Sequence, residues 1–368
     1  MLKDAVWERS GPDLNVIADP ETELVLGDPE GTVEYLLGLL REGTRDPRAL
    51  ADLLASRFPQ VSDADLSTAL DALDELGLLV DAAAPDPLTG IQRERYFSNL
   101  AFFTTYASLG RPAAAFQRAL ADAHVVFLGT GGLGSTVIQA LAGAGVGRMT
   151  LLDNDTVELR NFARQYLYRE ADIGRPKVER AQEWVEAFSS AADVRAVRKW
   201  ISGPGDITDL LTGADLVVSG VDHPADDIDF WVNQACVGAG VPFVRGGMLL
   251  RRVCYWSVDP GRSGCRACLQ HTAGDDAGRI YQMRRGLDPV NRGIGPAASM
   301  VGAAVAMEAV RYLTKFAEPI AAGRMRFTDC ATGSEEVVAW EPWPECPVCA
   351  TVPAAGPPAA PGRARHDG

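Results

Sequence analysis

No stretch of this chain is apolar for long enough to cross a bilayer, although 47% of its residues are hydrophobic. That share is enough for a sizeable buried core. The opening Met1-Leu2-Lys3-Asp4 starts no signal peptide, so a cytoplasmic protein without a membrane partner is expected. Positive charge is also short: 35 Lys and Arg stand against 49 Asp and Glu, a net charge of −14. That balance argues against a nucleic-acid partner for the molecule as a whole. Cysteine is sparse, seven residues in 368, and four of the seven form two CxxC pairs. This usage suits a reducing compartment and a metal better than a disulfide framework.

The charge is unevenly spread. Residues 1–80 hold 17 acidic and 6 basic side chains, so −11 of the net −14 lies there. A shift this large near residues 82–87, Ala-Ala-Ala-Pro-Asp-Pro, marks a domain boundary, and the length fits two domains.

Residues 125–177 read as a nucleotide site. Val125-Val126-Phe127-Leu128 is a short strand candidate followed at once by Gly129-Thr130-Gly131-Gly132-Leu133-Gly134. A helical pattern through Val137, Ile138 and Leu141 closes at a glycine cluster, and a second strand, Met149–Leu152, delivers Asp153. Glycines let backbone approach phosphate oxygens, and a helix N-terminus offers free N–H groups and partial positive charge. An acid at the end of the second strand is placed to accept from a ribose. The loop that follows adds Asp155, Asn161, Arg164 and Gln165, and then comes Ile173-Gly174-Arg175-Pro176-Lys177. Hydride transfer has no evident use for an arginine and a lysine aimed past a diphosphate. An enzyme that handles a triphosphate does, because cations stabilise the leaving pyrophosphate.

The run GTGGLG, LLDNDTVELRNFARQ and IGRPK resembles the ThiF/MoeB family of ATP-dependent adenylyltransferases, relatives of the ubiquitin-activating enzymes. With later motifs the likeness covers about residues 91–350. It implies an ATP site built from Gly129, Gly131, Gly132, Asp153, Asp155, Asn161, Arg164, Gln165, Lys177 and Asp222. Arg164, Lys177 and Asp222 would be catalytic. Asp222 ends the apolar run Leu216–Val221, where parallel strands present ligands, and it matches the family acid that helps hold Mg2+. His223 stands where the family often has asparagine and reads as a solvated loop residue. The resemblance further implies a homodimer in which an arginine of an N-terminal arm reaches the partner's ATP. Ser98 occupies the usual arginine position here, leaving Arg93 or Arg95 as substitutes, or simply as a solvated helix end.

Two CxxC turns, Cys265/Cys268 and Cys346/Cys349, predict a closed tetrahedral sulfur cage and hence structural Zn2+. Cys236, Cys254 and Cys330 read as buried small apolar residues. Relatives that pass a substrate onto a cysteine carry that thiol between the first pair and the Gly293-Ile294-Gly295-Pro296 helix start. Residues 269–294 contain none, which favours direct attack on a bound acyl-adenylate.

The first domain (1–82) offers strand candidates Leu14–Ile17 and Glu23–Leu26, then three helices. These are marked by Val33–Leu40, by Leu50–Phe58, and by a Ser62-capped run through Leu66, Leu70 and Leu73. Leu78-Leu79-Val80 reads as a returning strand. The plan is a small winged helix-turn-helix resembling the PqqD-like modules that recognise leader peptides. Its third helix bears Asp63, Asp65, Asp71, Asp74 and Glu75, which would repel DNA phosphates. Strand addition of a peptide needs only a free sheet edge.

The expected whole is an α/β protein. It has a Rossmann-like, mostly parallel sheet with helices on both faces (125–350), a linker and arm (83–124) and a disordered tail (351–368). The combination resembles adenylyltransferases of ribosomal-peptide biosynthesis, the group that acts on the microcin C peptide. The implied substrate is a carboxylate on a peptide or small protein carrying a leader segment. Two alternatives stay open: an adenylyltransferase of a ubiquitin-like sulfur carrier, and a leader-binding scaffold without catalysis.

Overall fold

Leucine spacing and cap residues account for most of the first unit. The computed structural model describes residues 1–19, 22–43, 46–249, 251–274 and 293–353, which form two compact units, residues 1–118 and residues 119–353. Three antiparallel strands open the first: β1 (Val6–Ser10), β2 (Asp13–Asp19) and β3 (Thr22–Gly27), in that spatial order. Leu14 and Val16 point to the core from one face of β2, as a period of two requires. Helix α1 (Thr32–Arg41) buries Leu36, Leu37, Leu39 and Leu40. Helix α2 (Pro47–Arg57) begins at Asp46, whose carboxylate accepts the Arg48 N–H at 3.0 Å. Helix α3 (Asp63–Glu75) starts with a capping box in which Ser62 and Asp65 exchange hydrogen bonds. The expected returning strand shrinks to an antiparallel bridge between Leu2 and Leu79, because only Met1 to Lys3 lie opposite it.

Residues 83–124 carry three more helices, α4 (Gly90–Arg95), α5 (Phe97–Thr104) and α6 (Ala113–Asp122), and the division between the units falls within the last. Arg93 pairs with Asp86, and Arg95 lies over the Tyr96 ring at 5.9 Å. An open groove of about 820 Å³ in the first unit is lined by Trp7, Arg9, Glu34, Tyr35, Arg57 and Phe58, among others.

The second unit holds an eight-stranded sheet. Five strands are parallel: β4 (His124–Leu128), β5 (Arg148–Leu152), β6 (Asp193–Val197), β7 (Leu216–Ser219) and β8 (Phe243–Leu249). Antiparallel strands β9 (Arg252–Val258), β10 (Arg324–Asp329) and β11 (Glu335–Ala339) extend one edge, giving the order β11-β10-β9-β8-β7-β4-β5-β6. Helices α7 (Gly132–Ala144), α8 (Lys177–Phe188) and α11 (Gly295–Thr314) cover one face. On the other, α9 (Pro204–Thr208) and α10 (Ile228–Ala239) bury Ile207, Val232 and Val237 against Val126, Val217 and Phe243. The strand order turns back at β4, so a crevice opens beyond the carboxyl ends of β4 and β7. This is the mostly parallel α/β sheet expected from the sequence.

Among the described residues no helix is long and apolar enough to cross a membrane. Residues 275–292 of the cysteine-free segment, and 354–368 of the expected tail, lie outside the described residues.

Candidate active site

Strand β4 is wholly buried and delivers its chain into a turn that only glycine can make. Gly129 has φ +91°, and a Cβ there would meet Val221 Cγ1 at 3.1 Å. A Cβ on Gly134 would lie 2.1 Å from the Gly129 carbonyl oxygen, so the first turn of α7 can close onto the loop only without a side chain. Gly131 is the cap position just before α7 and offers no side-chain cap, which leaves the helix N-terminus open to an anion.

Asp153, just past β5, fastens that loop. Its Oδ2 accepts from the Thr130 N–H at 2.7 Å and the Thr130 hydroxyl at 2.8 Å, and its Oδ1 accepts the Asp155 N–H at 2.9 Å. Tyr168 donates its hydroxyl to the Thr130 carbonyl at 2.7 Å. Burial pushes the Tyr168 hydroxyl well above its ordinary pKa, so it remains a donor. Tyr168 falls between the two motifs read from the sequence, the one ending at Gln165 and the one starting at Ile173, and was missed.

Lys177 and Arg164 supply the cations. Lys177 opens α8, with its ammonium 2.8 Å from Asp155 Oδ2 and its side chain 6% exposed, while Asp155 is 61% exposed. A lysine at a helix N-terminus works against the macrodipole, so its place there is not chosen for helix stability. Arg164 lays its stem across the start of α7: a Cβ on Gly132 would touch its Cγ and Cδ at 3.4 Å. Gln165 is buried, and a Cβ on Gly131 would lie 3.8 Å from its Nε2. The Gln165 Oε1 has no hydrogen-bond partner among the described residues. Buried Asn161 uses its Oδ1 to accept the Glu158 N–H at 2.9 Å, which fixes the turn Leu159–Asn161.

Asp222 follows β7 and is 63% exposed. Val221 touches Gly129, so this carboxylate stands beside the glycine loop. Arg245 of β8 reaches it at 3.4 Å, a partner that no motif in the sequence marks. Residue His223 is exposed in the adjoining loop. Gly295, the first residue of α11, leaves room for the Tyr166 hydroxyl, which a Cβ would overlap. The uncapped glycine turn and the buried lysine fit the phosphates of a nucleotide, the Gln165 Nε2 beside Gly131 is a further donor, and the orphaned Gln165 oxygen can accept only from a hydroxyl or amine of such a ligand.

A family model described as ThiF family matches residues 104–348. The chain belongs to the ThiF family. It is 32% identical over 239 residues to the molybdopterin-synthase adenylyltransferase of Salmonella typhimurium, across 63% of this chain and 89% of that one. It is 30% identical over 239 residues to the ThiS sulfur-carrier adenylyltransferase of Escherichia coli, across 63% and 88%. Its fold matches E. coli MccB solved with ATP, with a TM-score of 0.73 and 23% identity over 95% of this chain and 99% of that one. A structure of the microcin C7 biosynthetic enzyme MccB in complex with N-formylated MccA matches with a TM-score of 0.72 at 22% identity, over the same 95% and 99%.

The ThiF-family chain also brings together the four cysteines expected to do so. Sγ atoms of Cys265, Cys268, Cys346 and Cys349 all lie within 4.8 Å of one another. Three of the pairs are 3.5, 3.6 and 3.9 Å apart, near the edge of about 3.8 Å that a ZnS4 tetrahedron with 2.3 Å bonds requires. Trp343 donates its N–H to Cys268 Sγ at 3.3 Å, and the Trp340 indole donates to the Gly264 carbonyl at 2.9 Å. Of the other cysteines, Cys236 and Cys254 are buried as expected. Cys330 is exposed, because it falls in the β10–β11 turn, where Asp329 caps the N–H groups of Ala331 and Thr332.

Proposed function

We propose that this ThiF-family adenylyltransferase activates a carboxylate of a ribosomally made peptide. The observation that carries the reading is the extra N-terminal unit. The sulfur-carrier and molybdopterin-synthase relatives align with 63% of the chain, whereas the MccB fold spans 95% of it. N-formylated MccA, the partner in one MccB structure, bears the mark of a translated N-terminus.

In this reading Gly129, Gly131, Gly132 and the start of α7 cradle the phosphates, and Arg164 and Lys177 neutralise them. The amides of Asn161 and Gln165 complete the polar lining. Asp153 and Asp155 lie on the ribose side, with Asp153 serving both loop and ligand through its remaining lone pairs. Asp222 would hold magnesium, which would supply positive charge to the phosphates. An oxygen of the substrate carboxylate bonds to the α-phosphorus of ATP, the bond to the bridging oxygen breaks, and that electron pair leaves with pyrophosphate. A second nucleophile then takes the acyl group. The chain works as a homodimer in the cytoplasm, its four cysteines hold structural zinc, and its first unit is a winged-helix module for a leader segment. The edges of β1 and β3, unpaired among the described residues, and the groove lined by Trp7 and Tyr35, are surfaces an extended peptide fits.

A second reading, activation of a ubiquitin-like sulfur carrier, is favoured by the 30–32% identities to such relatives. Exchange of labelled pyrophosphate into ATP separates the two. Peptides encoded beside the gene are expected to stimulate exchange, and Lys177→Ala and Asp222→Ala to lower it about a hundredfold or more. Stimulation by a Gly-Gly-ended carrier alone would decide for the second reading.

A further inference from the structure

The end of β7 holds more carboxylate than the guanidinium beside it can neutralise. Arg245 extends from β8 with Nε 2.8 Å from Asp229 Oδ1 and one terminal nitrogen 3.4 Å from Asp222 Oδ1. Its other terminal nitrogen faces the carbonyls of Ser219 at 3.4 Å and Gly246 at 3.3 Å. The Arg245 side chain is 13% exposed, against 33% for Asp229 and 63% for Asp222. Burial alone would disfavour its charge; Asp229 and then Asp222 more than offset this, and its pKa is raised. The two contacts are unequal. One is a full charge-assisted hydrogen bond and the other sits at the limit of one. Asp229 lies in the first turn of α10, where the helix also favours a carboxylate.

We propose that Asp229 holds Arg245 back from Asp222, and that this pairing sets how tightly Asp222 grips a divalent cation. The inference rests on the reading of Asp222 as the metal carboxylate. Its exposed oxygens beside the glycine loop suit a magnesium ion bound through one carboxylate and substrate phosphates. A guanidinium and a metal ion compete for the same oxygens. With Asp229 as the nearer counter-charge, Arg245 leaves Asp222 open while still limiting its affinity. Asp229 and Arg245 are positioning residues, and neither is required to touch substrate.

The test is Mn2+ binding to the full chain, followed by electron paramagnetic resonance in the presence of a non-hydrolysable ATP analogue. Asp229→Asn is expected to weaken Mn2+ about tenfold, because Arg245 then closes on Asp222. It should raise the magnesium concentration needed for half-maximal exchange while leaving the rate at saturating magnesium near wild type. Arg245→Met is expected to bind Mn2+ more tightly than wild type, and the double variant to follow Arg245→Met. A wild-type affinity in Asp229→Asn, or a double variant as weak as Asp229→Asn, overturns the proposal. Asp229→Asn decides alone if Arg245→Met does not fold. Asp222→Asn separates the two levels: unchanged Mn2+ binding there removes the metal from Asp222 and the proposal with it. Loss of binding there, with an unaffected Asp229→Asn, removes only the proposal.

Discussion

At Gly134 a methyl group would sit 2.1 Å from the Gly129 carbonyl oxygen, and both sides of that contact are backbone. Gly143, on the same helix, has nothing within 4 Å of its missing Cβ. The pair makes an internal control. Gly134→Ala is expected to cost about 1–3 kcal/mol and to weaken nucleotide binding. Gly143→Ala should stabilise by up to about 1 kcal/mol through helix propensity. Thermal unfolding and nucleotide titration of the two variants check this, and equal behaviour would refute the tight-turn account. The places of single residues in the fold were legible in sequence where a local pattern carried them, as with Gly131 before α7, Asp153 past β5 and Lys177 at the start of α8. Tyr168 and Arg245 were not, because their meaning lies in partners 38 and 16 residues away that only the folded sheet brings close. Cys330 misled for a related reason: its burial depends on a turn between two strands that were themselves unread.

Among the elements, helices announced themselves better than edge strands did. Ser62 and the glycines Gly43 and Gly77, with φ of 89° and 73°, mark a start and two stops by local chemistry. Strands β10 and β11 are half-exposed to exposed, so neither shows a clean alternation of apolar and polar residues. Helix α11 hides a different device. Its Glu308 is fully buried and accepts from the Ala321 N–H at 2.7 Å, the Ile320 N–H at 3.2 Å and Arg311 at 3.2 Å. Glu308→Ala would orphan two backbone donors and a guanidinium, so a loss of roughly 3 kcal/mol or more is expected in chemical denaturation. A loss below 1 kcal/mol would mean that water replaces the carboxylate. The cysteine knuckles tie residues 265–268 to residues 346–349, with Cys265 and Cys346 buried. One zinc per chain is expected by elemental analysis, and its chelation should lower the unfolding temperature markedly, since structural zinc contributes folding free energy directly. Freely titrating thiols in the native, metal-free protein would show that the cage is empty by design.

For the molecule as a whole, charge and compactness divide the chain differently. Acidity falls off near residue 82, yet the first compact unit extends to residue 118. Lys3 donates to the Ala107 carbonyl at 2.7 Å and Asp74 accepts the Leu109 N–H at 2.8 Å, so the later helices are fastened to the acidic part. Every residue assigned to the nucleotide lies between Gly129 and Asp222, in the other unit. Removing residues 1–85 is therefore expected to leave ATP affinity nearly intact. It should raise the peptide concentration needed for adenylylation by more than tenfold, a loss above about 1.4 kcal/mol. Because the removed part carries −12 of the net charge of −14, with 18 acidic and 6 basic side chains, the lost affinity should be the portion that weakens as salt rises, and basic peptides should suffer most. Calorimetric titration of the same peptide into both chains at two ionic strengths reads both effects. A truncated chain that keeps full peptide affinity would leave the first unit a structural or dimerising cap. Equal activation of a sulfur carrier by both chains would then return the enzyme to the reading its 30–32% identities favour.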